Sequence, residues 1–335
     1  MRKLALVLAL VAGCSEKKPE LHLFTPQDYF AKDTIPNFEK EFGCVVKLDF
    51  MDSAEILKTK LDGGKSGFDV VIPSDEVMAA LIAQGLLEKL DPARIPNAKN
   101  LLPRFRGLPF DPKNEYSVPY QWGTTGIAYN KEKVTPPPDS WAALWNPQWG
   151  KRATLLDDKR EVLAAAMRLE GAPPQSTTKD DIARALKRFA GWKPLAYDST
   201  PKDKLVTEDF WVSQAYSGDA VQAAQGSGGK IGYVIPKEGG TLWLDNLAVA
   251  KGSPNLGLAH QFIDYILRPD VSAAITNERY FGSPNEAALK LIKKEILENR
   301  MAYPSQEEEK RLHILPVLSQ EVKKELDAAW ASIRK

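Results

Sequence analysis

Hydrophobic spacing changes period again and again over residues 21–86. Leu21-His22-Leu23-Phe24 reads as a short strand; Asp33 to Phe42 then sets Ile35, Phe38 and Phe42 at helical spacing, and Val45-Val46-Lys47-Leu48 returns to strand. Residues 54–62 predict a helix closed by Gly63-Gly64, Phe68-Asp69-Val70-Val71-Ile72 a continuous buried strand, and Val77 to Leu86 another helix. Strand and helix in alternation build a mostly parallel sheet flanked by helices, with ligand crevices beyond the carboxyl ends of its strands. Thr25 to Tyr29 and Pro73 to Glu76, which follow the first and third of these strands, are expected to line one.

A second unit is expected after Tyr116 to Trp122. Ile127-Ala128-Tyr129-Asn130 predicts a strand, Pro136-Pro137-Pro138 a stiff surface connection, and Arg160 to Leu169 and Lys179 to Phe189 amphipathic helices. Ile231-Gly232-Tyr233-Val234-Ile235 predicts a strand turned by Pro236-Lys237-Glu238-Gly239-Gly240 into Thr241 to Ala250. Helices dominate from Leu256, with a cut at Arg268-Pro269. About 315 residues remain behind the amino-terminal segment, more than one compact core usually serves, so two lobes are expected.

That segment reads as an export signal: Met1-Arg2-Lys3 is a positive start, Leu4 to Val11 a short apolar run, and Ala12-Gly13-Cys14 a small-residue end. The run is too short to span a bilayer, which takes about 20 apolar residues. Residues 1–14 are read as a lipoprotein signal whose Val-Ala-Gly-Cys ending resembles a lipobox, with Cys14 lipidated and residues 15–20 a polar tether; an ordinary secretory signal is the alternative. Cys44 is then a lone thiol, and its setting before Val45-Val46 fits a small buried hydrophobe. With 45 basic and 44 acidic side chains the formal net charge is +1, so no global field draws the chain to nucleic acid or anionic lipid, and attraction for a charged ligand has to be local.

Local acids and aromatics occur together in three places: Asp157-Asp158-Lys159-Arg160-Glu161, Tyr216-Ser217-Gly218-Asp219 and Trp243-Leu244-Asp245. An ammonium taken out of water needs anionic partners, and its methylene neighbours need aromatic or apolar faces. Each of these residues also has an ordinary structural reading. Asp157 and Asp158 could cap a helix, Tyr216 and Trp243 could be core aromatics, and Asp219 and Asp245 could serve a turn and a strand end. The histidines His22, His260 and His313 lie far apart, with no metal-ligand spacing, no Gly-x-Ser-x-Gly elbow and no phosphate-binding glycine loop, so no metal, cofactor or enzyme is expected. Asp158 and Glu161 as a glycosidase-like carboxylate pair is the remaining catalytic reading.

Four further segments carry a family resemblance: Phe68 to Ser74, Pro119 to Asn130, Ile235 to Gly240, and Leu267-Arg268-Pro269-Asp270-Val271. In order and distance they are similar to the bacterial spermidine/putrescine-binding proteins of ABC importers. The resemblance implies a two-lobe periplasmic-binding-protein fold, each lobe a mixed, mostly parallel α/β sheet flanked by helices, closing on a polyamine in the cleft between lobes. It places lobe 1 at residues 21–122 and 246–289 and lobe 2 at 123–245 and 290–335, with crossings near Trp122-Gly123 and Asp245-Asn246 and a return near residue 290. It also implies partners, an ABC permease and its ATPase, and a location in the periplasm or at the outer face of the cytoplasmic membrane, held by the lipid on Cys14; a monomer is expected.

Carried over by position, the resemblance gives Asp245 the grip on one ammonium and Trp243 an aromatic wall, with Glu161 at the other end of the ligand. Asp158 corresponds to a neighbouring acid used in spermidine binders and Asp219 to an acid used in putrescine binders, Tyr216 stands where a Trp is usual, Tyr29 and Ser74 face the cleft, and Phe281 or its neighbour Tyr280 supplies a further aromatic. The chain departs from the family at Thr25-Pro26-Gln27, where an aromatic stacking face is usual, and at Glu76, where an aromatic can stand; Pro26 and Glu76 are therefore expected to alter amine selectivity, and Gln27 and Glu76 are candidate ligand-binding residues. Another cationic solute, or a sensor role at the membrane, remains open because one fold carries many ligands.

Overall fold

The computed structural model of the protein describes residues 17–51 and 54–334. Among the described residues, nine strands share one curled, mixed sheet. They are β1 (Glu20–Thr25), β2 (Val45–Phe50), β3 (Val70–Val71), β4 (Ser117–Asn130), β5 (Ala153–Thr154), β6 (Val212–Tyr216), β7 (Ile231–Val234), β8 (Gly240–Val249) and β9 (Leu312–His313). The longer helices are α1 (Thr34–Phe42), α2 (Ala54–Leu61), α3 (Asp75–Ala83), α4 (Lys159–Leu169), α5 (Lys179–Leu186), then the short α6 (Lys202–Val206), α7 (Ser217–Gly226), α8 (Leu256–Ile266) and α9 (Pro269–Arg279). Two single turns, α10 (Lys294–Leu297) and α11 (Gln306–Glu309), lead to α12 (Gln320–Ile333).

Parallel pairings lie towards the two ends of the strand order and where β9 joins the start of β8. β1 pairs with β2 from Glu20↔Val45 to Thr25↔Phe50 and with β3 on its other edge, β5 pairs with β6, and β9 with β8. The middle is antiparallel, β4 against β8, from Ser117↔Ala248 to Thr125↔Thr241 with an irregularity between Pro119 and Gln121. These two long strands serve both halves of the molecule. At its carboxyl end β8 pairs with β3, while β4 beyond Gly123 pairs with β6 and β7.

Buried apolar side chains follow the same division. One large core joins Leu21, Leu23, Phe38, Val70 and Val71 with Trp122, Leu247 and Phe262; another joins Ile127, Trp141, Leu163, Val212 and Leu326. Phe38 is wholly buried and meets Phe262 edge-on at 5.0 Å, which is what the helical spacing of α1 predicts for its inward face. Cys44 is buried, as its setting before β2 suggested. The segment after α9 packs in a smaller group in which Ala288, Ile292 and Ile296 meet both Ala273 of α9 and Val221 of α7.

The strand read at Ile127 to Asn130 is the end of the fourteen-residue β4. Gly123 and Gly126 interrupt its apolar pattern because other side chains lie over them: a Cβ on Gly123 would sit 2.3 Å from the Trp243 ring, and one on Gly126 2.8 Å from the Tyr233 ring.

Candidate functional site

Side chains alternate along a strand, so Thr241, Trp243 and Asp245 of β8 point to one face, with the outer two roughly 13 Å apart along the backbone. Each holds a different kind of partner. The Thr241 hydroxyl donates to Glu161 Oε2 at 2.8 Å, and Asp245 Oδ2 accepts the Tyr29 hydroxyl at 2.6 Å. Between them the Trp243 ring meets Tyr216 at 5.8 Å and Phe281 at 5.6 Å, both edge-to-face, and Phe281 lies 5.8 Å from Tyr29. A carboxylate at each end of an aromatic wall is the result.

Local structure fixes each member. Tyr29 sits in the loop after β1, and its carbonyl accepts from the Gln121 amide at 2.9 Å and from the Tyr120 hydroxyl. Asp245 is anchored where β8 bridges Ser74 and where Asn246 N donates to the Pro73 carbonyl at 2.9 Å, so the end of β3 and the start of α3 frame it. Asp158 is the N-cap of α4: Oδ1 accepts from the backbone of Arg160 and Glu161 at 2.9 and 3.1 Å, while Oδ2 accepts the Tyr216 hydroxyl at 3.0 Å. The capping reading of Asp158 and its place beside the aromatic wall are thus both present. Asp219 lies buried in the first turn of α7. Gly218 precedes it because the Phe281 ring rests on that backbone, 2.2 Å from where a Cβ would stand.

Burial dominates the electrostatics. It pushes the Asp245 carboxyl up to about 6, against the opposing hydrogen bond from Tyr29. Glu161 rises to about 8, first from burial and then from the neighbouring Asp158 charge, with Arg168 and Thr241 pulling the other way. Burial likewise raises Asp219 to about 6, with Lys202 opposing. The phenols of Tyr29 and Tyr216 are held well above their ordinary range by burial and by these carboxylates. Carboxylates stripped of water and lacking a full set of cations are suited to receive ammonium groups.

The structure brings Asp245, Trp243, Glu161, Tyr216, Asp158, Tyr29 and Phe281 together, with Ser74 at the bridge to Asp245 and Asp219 beside the Phe281 contact. Between the two aromatics considered after α9, Phe281 faces the wall, while Tyr280, in a left-handed conformation, packs against the cluster of Val221 and Ala288. Gln27 is exposed. Glu76 is turned to Arg160, with Oε1 3.7 Å from Nη1, on a groove of about 220 Å³ that Val77, Ala80, Lys159, Lys323 and Leu326 also line. Asp157 pairs with Arg334 at the surface.

Within Pro73 to Glu76, expected from the sequence to line a crevice, Asp75 carries no individual sequence signal. Asp75 is buried, accepts the Leu244 backbone N–H at 3.4 Å, and is pushed up to about 7 by burial, with the Asp245 charge adding to the rise. An acid that opens a helix looks like an ordinary dipole partner, and only the tertiary contact with β8 sets it apart.

Residues 34–299 match the family model described as bacterial extracellular solute-binding protein. A putrescine/cadaverine-binding protein of Pseudomonas aeruginosa is 34% identical over 351 aligned positions, spanning 100% of this chain and 99% of that protein. The structure superposes on a Listeria monocytogenes protein described as a spermidine/putrescine ABC transporter, with TM-score 0.88, 31% identity and coverage of 94% and 98% of the two chains. It also superposes on the Tp0655 (TpPotD) lipoprotein of Treponema pallidum, with TM-score 0.84, 26% identity and coverage of 94% and 99%.

Proposed function

The chain belongs to the family of bacterial extracellular solute-binding proteins, and from that premise we propose that it captures a polyamine of the putrescine or spermidine class between its lobes and delivers it to an ABC permease with its ATPase. The observation that carries this reading is the single face of β8 on which Thr241 and its partner Glu161, the Trp243 ring and Asp245 follow one another. An extended dication has the same order of parts, charge, methylenes and charge. In this reading Asp245 and Glu161 pair the ammonium groups, while Trp243, Tyr216, Tyr29 and Phe281 cover the methylenes; Asp219, Asp158 and Ser74 supply further polar contacts.

The lobes are taken as 21–122 with 246–289 and 123–245 with 290–335, β4 and β8 being the hinge strands. Lobe closure is supported by pairs made across that division, Glu76 with Arg160 at 3.7 Å and Asp28 with Lys202 at 4.0 Å. Catalysis by Asp158 and Glu161 is disfavoured, because Asp158 already caps α4 and holds Tyr216 and is not left to activate a water.

Cys14 lies outside the described residues, and the lipid anchor, a monomeric state and a place at the outer face of the membrane remain part of the proposal. No described helix is long and apolar enough to cross a membrane. Calorimetry with putrescine, cadaverine, spermidine, spermine and agmatine tests the ligand class, and one-to-one binding of at least one linear amine is expected. Absence of heat and of thermal stabilisation with all five would overturn the reading. Fractionating cells that express Cys14→Ala tests the anchor, which predicts release of the variant from membranes.

A further inference from the structure

Glu161 and Arg168 are seven positions apart on α4, two turns along the same face, and both are buried. Thr241 of β8 stands between them. Its hydroxyl donates to Glu161 Oε2 at 2.8 Å and accepts from Arg168 Nη1 at 3.0 Å. Arg168 Nε and Nη2 find no hydrogen-bond partner among the described residues, although the side chain is 4% exposed. A buried guanidinium with donors unused is costly to hold in place, and the charge of the nearby buried Glu161, which favours the protonated guanidinium, is its clearest compensation. The Asp245 end of the wall differs: its close partners are Tyr29, Ser74 and the buried acid Asp75.

We propose that Arg168 is a positioning residue for ligand binding: through Thr241 it orients the Glu161 carboxyl group, and its positive charge favours the ionised form that an ammonium requires. The inference rests on the polyamine reading of the site and deepens it. The two ends of the pocket then bind unequally. Asp245 presents its charge without a neighbouring guanidinium and takes the ligand's strongest ammonium contact, whereas an ammonium at Glu161 is partly repelled by Arg168.

The groups that face Glu161 define what else can titrate with it. Asp158 at the N-cap of α4 raises it, Arg168 lowers it, and Tyr216 and Tyr233 feel its charge from β6 and β7; His313 of β9 faces Arg168 and is held below its ordinary value by burial and by that guanidinium. Removing the guanidinium charge should therefore leave Glu161 protonated to higher pH, by about one to two pKa units for a charge this near.

The test uses the mature protein with Arg168→Met, Arg168→Lys and Thr241→Val, each checked for folding by thermal unfolding. NMR titration of the Glu161 side-chain carboxyl without ligand should show an upward shift in Arg168→Met and recovery in Arg168→Lys. Calorimetry with putrescine should show Arg168→Met binding about tenfold more weakly than wild type near pH 6.5, with the deficit narrowing towards pH 9 as part of the variant's Glu161 ionises. Thr241→Val keeps the charge and should weaken binding by a similar factor at both pH values.

A carboxyl titration unmoved in Arg168→Met would overturn the inference even if putrescine binds. Wild-type protein that binds no amine, with the titration shifted as expected, would remove the polyamine reading and the unequal ends while leaving the Arg168–Glu161 charge balance standing. Should Arg168→Met fail to fold, Thr241→Val decides: putrescine affinity unchanged from wild type at both pH values would overturn the proposal.

Discussion

The Tyr29 hydroxyl donates a 2.6 Å hydrogen bond to Asp245 Oδ2, joining the loop after β1 to the middle of β8 across 216 positions of sequence. It engages one carboxylate oxygen, and in the proposed reading the other meets an ammonium of the ligand. Truncating one partner of a buried charge pair typically loses about 3 to 5 kcal/mol, so Asp245→Ala should weaken polyamine binding at least about a hundredfold. Tyr29→Phe removes a hydrogen bond to an ionised group, about 1.5 to 3 kcal/mol, and should weaken binding about tenfold or more. Calorimetry on the two variants checks the order of the losses; wild-type affinity in Asp245→Ala would remove Asp245 from the site.

The strands and helices of the first half were legible because their faces are cleanly divided: Leu21, Leu23, Val70 and Val71 all go into one core, and Phe38 anchors α1 to it. β6 was not, since Val212-Ser213-Gln214-Ala215-Tyr216 mixes polar residues into a strand whose first four members are all buried. Gln214 serves there by donating to the Glu161 carbonyl at 2.9 Å, a role no spacing reveals. Family resemblance located most of the acids, but it marked Glu76 as the novel one, whereas its neighbour Asp75 is the acid turned to β8. A change of one position at a helix start rotates a side chain by about 100 degrees, and only packing decides which of two adjacent acids faces inward.

Stability and binding should respond to pH in opposite senses. Asp245 and Asp219 titrate at about 6, Asp75 at about 7 and Glu161 at about 8 in the folded protein, against about 4 for unfolded carboxyls. Over that window the folded chain holds more protons than the unfolded one, so the contribution of these groups to stability is present at low pH and lost as pH rises through the folded values. A polyamine requires the carboxylates ionised and binds better as they lose their protons. The ligand-induced rise in melting temperature should accordingly be larger at pH 8 than at pH 5.5, measured at fixed salt and ligand. A larger rise at pH 5.5 would mean that these acids do not face the amine.

Gly218 gives a steric test of the aromatic wall. Phe281 rests on its backbone, with ring carbon Cε1 2.2 Å from the place of a Cβ, so Gly218→Val must push the ring away. The Trp243 and Tyr29 contacts to Phe281 loosen with it. Overpacking of this kind costs about 1 to 3 kcal/mol in stability. Amine affinity and the ligand response of Trp fluorescence should both fall, and Phe281→Ala in the same background should restore stability without restoring affinity. Unchanged affinity in Gly218→Val would place Phe281 outside the ligand's surroundings.

Glu76 decides whether selectivity among amines lies at the pocket or at the closing lobes. Its carboxylate is 3.7 Å from Arg160 Nη1, whose guanidinium also donates to the Pro316 carbonyl at 2.6 Å, so Arg160 stays in place whether or not Glu76 is present. The pair joins α3 to α4, across the two proposed lobes, and acts on closure instead of on a particular ammonium. At 32% side-chain exposure Glu76 is partly open to solvent, and such pairs contribute about 0.2 to 1 kcal/mol, weakened further by salt. Glu76→Gln should therefore reduce affinity for a diamine and a triamine by the same factor, at most about fivefold, and the loss should shrink as salt is raised. Pro26→Trp, which adds the stacking face usual in similar proteins, should leave diamine binding intact or tighten it. A loss in Glu76→Gln confined to the triamine would instead mean that this carboxylate leaves Arg160 to meet the third ammonium, and selectivity would then lie in the pocket.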